Sequence, residues 1–587
     1  MHGFIGTISN QFNGSTEEFA KHMKEGEKHE QNLKFRLTIN VDDIDTFIND
    51  KDLTAEAFGY IESPVFGGRC EVLKGIFNLF VPAESSKDFN TAKEMHYTLT
   101  FKSEDQEIYT FYGFKNIHKQ SMQDIWEETT TLYTQIFKGE VLTHPIYAGV
   151  LRLNMKDFVK QIMTIDSDAH SVLDKAHNIY KFMNVFAEKV WEAYTPEIFN
   201  PEKHQWDNFV FPHRTSKGVS NAEITHHFLD LTDGVTIQFD RFKKAESNDV
   251  IILLHGLSNS TDIFIMPEHY NIVQYLINND YTDIFTLDWR GSSRLSYAYT
   301  PSEYNIDYVA KYDIPEAVAE IRKMVGPDKN IHLVSHCIGS VAASAALASG
   351  QLTGIKSFTS NAVSFTPQAP LMAKLKLIFA PFFIDNVLRY PYMAPNMAYM
   401  PGLSFGKWLV KLQSLFRSEC DEPACHMASF MWGWGAPALY KHENLHVLTH
   451  RRIKDLFGAT TTSWYKHIRK MIINKESTPY KHKGAFYESP KSYLHSLEKN
   501  LLPPTLFLAG EENKIFPGSN KLSFETIKTL YPDQPVFFKE FAGYGHIDVM
   551  IGKNSAEDTF PTILNFLNSN KGDNAKRLPL HSDIHTS

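Results

Sequence analysis

The sequence predicts an α/β fold, a mostly parallel sheet wrapped by helices, with a large insertion and a small β-rich domain ahead of it. Three observations lead there. Short, mainly apolar runs alternate with helical stretches after residue 224, which is the pattern of strands buried on both faces and joined by crossovers. One connection between such runs, from Phe365 to about Pro503, exceeds a hundred residues, far more than an αβ connection needs. The first 160 or so residues instead alternate apolar and polar at the two-residue period of a half-buried sheet.

In chain order, Phe35, Leu37, Ile39 and Val41 alternate with Lys34, Arg36, Thr38 and Asn40, and Tyr97, Leu99 and Phe101 with Thr98 and Thr100. Residues 1–165 are read as the β-rich domain. Asp166 can cap a helix whose Val172, Ala176, Ile179, Met183, Phe186 and Val190 recur at helical spacing until Pro196, so 166–200 reads as a bridging helix. The core follows in two parts, 201–365 and 501–570, around an inserted cap at 366–500 that is rich in aromatics and Met; a polar tail closes the chain at 571–587. A hairpin with Thr232-Asp233-Gly234 at its tip opens the core. Its strands are expected at 250–254, 283–287, 331–334, 357–363, 505–509 and 536–541, and helices at 309–324, 340–348 and 560–567.

Composition narrows the function. The 587 residues carry 59 basic and 68 acidic side chains, a formal charge of -9, which disfavours a nucleic-acid coat or an acidic membrane as partner. Four cysteines cannot make a disulfide scaffold, and the start of the chain lacks a basic and then apolar leader. The expected location is therefore the cytoplasm. The longest apolar stretch, 371–383, is broken by Lys374, Lys376 and Pro381, so no bilayer span is expected.

The sharpest motif is 331–345, where a buried strand runs through Ser335-His336-Cys337-Ile338-Gly339 into a helix of small residues. Such a strand-to-helix turn needs the small Ser335 and Gly339 on either side of the reactive residue and presents Cys337 at a helix N-terminus, where the dipole favours thiolate. An earlier strand ends in His255-Gly256-Leu257. Gly256 lets backbone approach substrate, so the amides of Leu257 and Ile338 are the candidate oxyanion hole. His546, framed by Gly543 and Gly545 after the last strand, is the candidate base in a nucleophile, acid, histidine order. His255, His332 and His336 are read as structural. Asn513 stands where a carboxylate is usual. A serine nucleophile would suffer from that. A thiol can pass its proton to the imidazole before substrate arrives, and a neutral Asn can then orient the ring. Glu511 and Glu512 are rival acids, and Asn361 another possible orienter.

With these pieces placed, the region from about residue 224 onward resembles the α/β-hydrolase superfamily, especially its acid-lipase-like branch, through His255-Gly256, Asp288-Trp289-Arg290-Gly291, the Cys337 elbow, the long cap and Gly545-His546-Ile547-Asp548. More closely it resembles the hydrolase module associated with cholesterol-oxidase-like glucose-methanol-choline oxidoreductases, in which segments like 335–340, 510–513 and 543–548 occur together; likeness extends upstream to 75–82 and 126–133. That resemblance implies a hydrolase of an ester, with lipid and sterol esters among the candidates, and a cholesterol-oxidase-like flavoprotein as a candidate partner. No Gly-x-Gly-x-x-Gly lies between a strand and a helix, so no cofactor is assigned. Polyhydroxyalkanoate synthases are similar in their elbow Cys and in a pair like Asp288-Trp289, which implies acyl transfer as the alternative, but they carry Asp at the position of Asn513. A non-catalytic apolar-ligand-binding protein of this fold is the third reading.

Cys70, Cys420 and Cys425 remain, with His426 beside the last. A zinc site wants four ligands, and no matching second pair follows Cys420-x4-Cys425, so no metal is assigned and the segment is read as a local brace of the cap. Asp288 to Gly291 is expected at the sheet edge, pinning a loop.

Overall fold

The computed structural model describes residues 1–9, 12–82, 93–117, 131–153, 166–169, 218–300, 302–382, 384–385, 392–399, 419–435, 437–481 and 489–572, with isolated positions between these spans. The chain divides into two compact units, Met1–His204 with Asn386–Arg389, and Gln205–Asp385 with Tyr390–Ser587. Most of the expected bridging helix at 166–200, including the apolar positions from Val172 to Val190, and nearly all of the polar tail lie outside the described residues.

In the first unit eight antiparallel strands close into a barrel: β1 (His2–Thr7), β2 (Asn32–Asn40), β3 (Thr54–Ser63), β4 (Gly68–Pro82), β5 (Lys93–Lys102), β6 (Ile108–Ile117), β7 (Thr131–Lys138) and β8 (Pro145–Arg152), with β8 pairing back onto β1. The two-residue alternation in β2 becomes Leu33 and Phe35 buried between exposed Asn32, Lys34 and Arg36. Closure removes both sheet edges, which the alternation alone does not disclose. Helix α1 (Thr16–Lys28) starts where Ser15 accepts from the Glu18 amide, and it buries Phe19 against Ala148 and Val150.

The second unit is built on an eight-stranded sheet in the order β16-β15-β14-β13-β11-β12-β10-β9. The strands are β9 (Glu223–Asp230), β10 (Thr236–Lys243), β11 (Asp249–Leu254), β12 (Asp283–Asp288), β13 (Asn330–His336), β14 (Ile355–Asn361), β15 (Thr505–Gly510) and β16 (Val536–Phe541). β9 and β10 form the expected hairpin, with Gly234 at φ 84° in its turn. From β12 to β16 every pairing is parallel. β11 and β12 are buried at every position, which is why they read as mainly apolar runs, interrupted only by Asp249, Asp283, Thr286 and Asp288. The order reverses around β11, and in a parallel sheet a crevice opens at the carboxyl ends of the strands at such a point.

Several boundaries move. The helix expected at 309–324 is a π-turn over Val309–Asp313 followed by α2 (Ile314–Val325). Pro315 has no N–H to continue the i to i−4 ladder. The elbow helix α3 is Ile338–Ala348, starting right after Cys337. The Asp288 segment is not at the sheet edge, since β12 lies between β11 and β10. Between β14 and β15 the chain forms α4 (Leu371–Phe382), α5 (Pro423–Trp432) and α6 (Thr462–Asn474), and α7 (Ser519–Leu530) and α8 (Phe560–Ser569) follow β15 and β16. Among the described residues no helix is long and apolar enough to cross a membrane.

Candidate active site

Cys337 sits between β13 and α3 with φ 54° and ψ −126°, a conformation that L residues rarely adopt and that aims the side chain out of the turn. The backbone is held there because its N–H donates to the Asn361 carbonyl at 3.0 Å. Close packing accounts for the flanking glycines. A Cβ on Gly339 would lie 2.3 Å from the His255 carbonyl oxygen, and one on Gly256 would lie 2.9 Å from the Cys337 Cβ. Ser335 is buried on the other flank, within 3.2 Å of the Ser340 hydroxyl. The backbone N–H groups of Leu257 and Ile338 both face the Cys337 sulfur, so two converging amide donors lie beside the atom from which a tetrahedral oxyanion would grow.

His546 and Asn513 meet this sulfur from the other end of the sheet sequence. The Cys337 Sγ and ring nitrogens of His546 and His336 all lie within 4.8 Å of one another. His546 Nδ1 is 3.1 Å from Asn513 Oδ1, which also accepts from the Ile515 and Phe516 amides at 3.0 Å each. Those two backbone donors require the amide oxygen, not its NH2, to point inward, and Asn513 Nδ2 is left buried without a hydrogen-bond partner among the described residues. An oxygen facing Nδ1 makes that nitrogen the protonated one, so Nε2 keeps its lone pair. The His546 loop is fixed by its own backbone: the amides of His546 and Ile547 both donate to the Leu439 carbonyl, at 3.1 and 2.9 Å.

The protonation state differs from the sequence expectation. The helix N-terminus and an early proton transfer were expected to yield thiolate and imidazolium. Burial instead pushes the Cys337 thiol up to about 12, against the opposing pull of the Ile338 and Leu257 amides, and pushes the His546 imidazole down to about 3. Desolvation outweighs two amide dipoles because an unscreened charge in an apolar pocket costs more than they return. The resting pair is neutral, thiol beside imidazole. Thiolate is then proportional to hydroxide, so alkylation of Cys337 by iodoacetamide should rise about tenfold per pH unit from about pH 6 to pH 9. Peptide mass analysis reads the rate site by site; a plateau setting in below neutrality would mean that the ion pair already exists.

The rival residues lie elsewhere. Glu512 pairs with Lys441 at 2.9 Å, Glu511 is exposed, and the Asn361 amide lies 2.9 Å from His336 Nδ1 rather than on His546. His332 is structural, bonded to Ser357 and Asp249. His336, also read as structural, lines the pocket, with its ring centroid 4.9 Å from that of His546. The loop after β11 is pinned by Asp288, which accepts from the Thr261 amide and hydroxyl and from Ser292. Burial would raise this carboxyl, but Arg294, His255 and these donors hold it below its ordinary value. Trp289 stacks on His255 at 4.9 Å and donates to its carbonyl. Asn259 and Phe516 also line the site and were missed, because neither stands in a motif; only their offset of a few residues from Gly256 and Asn513 could have signalled them.

The cavity at Cys337 measures about 20 Å³, room for about one water. Its walls are mainly apolar, with Leu257, Ile338, Trp432, Phe457, Ile468 and Phe516 surrounding the polar Asn259, His336 and His546.

Residues 251–543 match the alpha/beta hydrolase family, and with the strand order above the second unit has the α/β-hydrolase fold. Among solved structures, the monoacylglycerol lipase of Paleococcus ferrophilus aligns at 14% identity and TM-score 0.35, covering 57% of this chain and 99% of that one. The esterase RhEst1 of Rhodococcus sp. ECU1013 aligns at 14% and 0.33, covering 59% and 100%. The α/β hydrolase GrgF of Penicillium sp. sh18 aligns at 14% and 0.36, covering 59% and 99%. No curated protein matches the chain. Nothing in the comparisons supports the flavoprotein partner implied by the resemblance.

Proposed function

We propose that the second unit is an ester hydrolase that works through a thioester on Cys337. The observation that carries this reading is the Asn513 amide, whose oxygen is turned toward His546 by two backbone donors and so leaves Nε2 free to take a thiol proton. In the reaction, Cys337 Sγ gives its proton to His546 Nε2 as sulfur bonds to the ester carbonyl carbon, and the carbonyl oxygen becomes an anion between the Leu257 and Ile338 amides. The tetrahedral adduct collapses, the carbon–oxygen bond to the alcohol breaks, and His546 returns the proton to the departing alkoxide. Water then gives a proton to His546 as it attacks the thioester, releasing the acid and restoring the thiol. Because both partners start neutral, the charges appear only as the amides and Asn513 receive them.

The apolar walls favour a hydrocarbon acyl group, in keeping with a lipid or sterol ester. A cavity of about 20 Å³ holds no acyl chain, so substrate entry requires the pocket to widen. The test is a panel of p-nitrophenyl esters from acetate to decanoate, with peptide mass analysis after quenching. An acyl mass on the peptide bearing Cys337, and release of acid, is the expected result; no adduct and no turnover across the panel would refute the reading. Adding an alcohol in competition with water separates hydrolysis from acyl transfer.

A further inference from the structure

The insertion between β14 and β15 holds a second cluster of ligating side chains, which the proposed hydrolysis does not use. Cys420 precedes α5, Cys425 lies in its first turn, His442 opens the 3-10 turn His442–Asn444 and His450 sits in the short helix Val447–Arg451. We propose that Cys420, Cys425, His442 and His450 bind one zinc ion in a closed tetrahedral site that holds the insertion against the His546 loop.

The geometry is that of a ligand set. One sulfur or nitrogen from each residue lies within 4.8 Å of all the others, and Cys425 Sγ is 3.3 Å from His442 Nε2. Zinc–sulfur bonds of about 2.3 Å and zinc–nitrogen bonds of about 2.0 Å give a tetrahedron with edges of roughly 3.3–3.8 Å, so small shifts of the side chains suffice. The His450 Nε2 is buried with no hydrogen-bond partner among the described residues, as a ligand nitrogen requires. The chemistry selects the metal: two sulfurs and two imidazoles suit zinc and not magnesium or calcium. Binding converts two thiols to thiolates and releases two protons to solvent, so the complex is neutral and tolerates burial. His426 Nε2 lies 3.4 Å from Cys420 Sγ, placed to donate to a coordinated thiolate. Four protein ligands leave no position for water, which makes the site structural.

Its effect reaches the hydrolase site through three residues of backbone. Leu439, whose carbonyl holds the His546 and Ile547 amides, lies just before His442, and Asn444 just after it donates to the Asp548 carboxylate at 2.7 Å. Trp432, at the end of the helix that carries Cys425, walls the cavity. The sequence argument assigned no metal because the second pair stands at unfamiliar spacing, 17 and 25 residues beyond Cys425.

Metal content tests this without reference to activity. The full chain, purified without chelator from zinc-supplemented medium, should carry about one equivalent of zinc by inductively coupled plasma mass spectrometry. Cys425→Ser and His450→Ala should each carry less than about 0.2 equivalents, while Cys337→Ser should keep the full complement. Cobalt exchanged into the unaltered protein should show a thiolate-to-cobalt charge-transfer band and the visible bands of a tetrahedral ion. Metal retained by Cys425→Ser, or lost from Cys337→Ser instead, overturns the proposal. Should the insertion variants precipitate, the unaltered chain still decides, because absence of both zinc and the cobalt charge-transfer band means that the four side chains only hydrogen-bond one another.

Discussion

Cys337→Ala is expected to lower kcat for ester hydrolysis by about 10⁴-fold or more, because the sulfur that faces the two amides is the atom that bonds to the carbonyl carbon in the proposed reaction. Cys337→Ser is expected to be nearly as inactive. A serine alkoxide cannot form unless the imidazolium beside it is stabilised, and Asn513 offers a dipole where a carboxylate would offer charge. The Asn513 oxygen accepts from Ile515, Phe516 and His546, and an aspartate in its place would accept from the same three donors with the same geometry. Adding Asn513→Asp to Cys337→Ser is therefore expected to recover at least about tenfold over the single serine variant. The comparison is steady-state hydrolysis of one ester by the four proteins at fixed pH. Cys337→Ala with more than about a tenth of the parent rate would remove the sulfur from the mechanism, and a double variant no faster than Cys337→Ser would show that Asn513 and the thiol are not matched.

Gly339→Ala is expected to destabilise the second unit by about 3 kcal/mol, read as a lower urea midpoint together with loss of activity. By local propensity the sign would be opposite, since alanine in a helix is favoured over glycine by roughly 0.8–1 kcal/mol. The neighbour decides. The added methyl would meet the His255 carbonyl oxygen at 2.3 Å, a backbone atom that cannot rotate away. That carbonyl also accepts from Trp289 Nε1 at 3.1 Å and lies two residues before the Leu257 amide, so a shift disturbs both the β11–β12 packing and the oxyanion donors. A variant as stable as the parent would show that α3 can move away from β11 at little cost.

How far the chain could be read depended on the range of the interaction. The elbow was visible because its requirement is local: a strand, a tight turn and a helix need small residues at 335 and 339 whatever surrounds them. The buried strands β11 and β12 were visible for a similar reason, their central runs Val250–Leu254 and Ile284–Leu287 being apolar but for Thr286. The closure of β1–β8 into a barrel was not, since alternation assigns a buried face to each strand and says nothing about whether the last pairs with the first. The π-turn at Val309–Asp313 hid behind helical periodicity that continues on both sides of it.

The sequence by itself determined which atoms are the candidates to react: a thiol on a strand-to-helix turn, an imidazole after the last strand, and an amide in place of a carboxylate. Only the tertiary structure decided their state. Whether Cys337 and His546 rest charged or neutral depends on how much water the surrounding side chains exclude, and Trp432 and Phe457, which exclude it, come from a segment a hundred residues away. Likewise the direction of the Asn513 amide, and the meeting of Cys420 and Cys425 with His442 and His450, depend on contacts between distant or unpatterned positions. Periodicity records the environment of one element at a time, while desolvation and ligand geometry are properties of the space that several elements enclose.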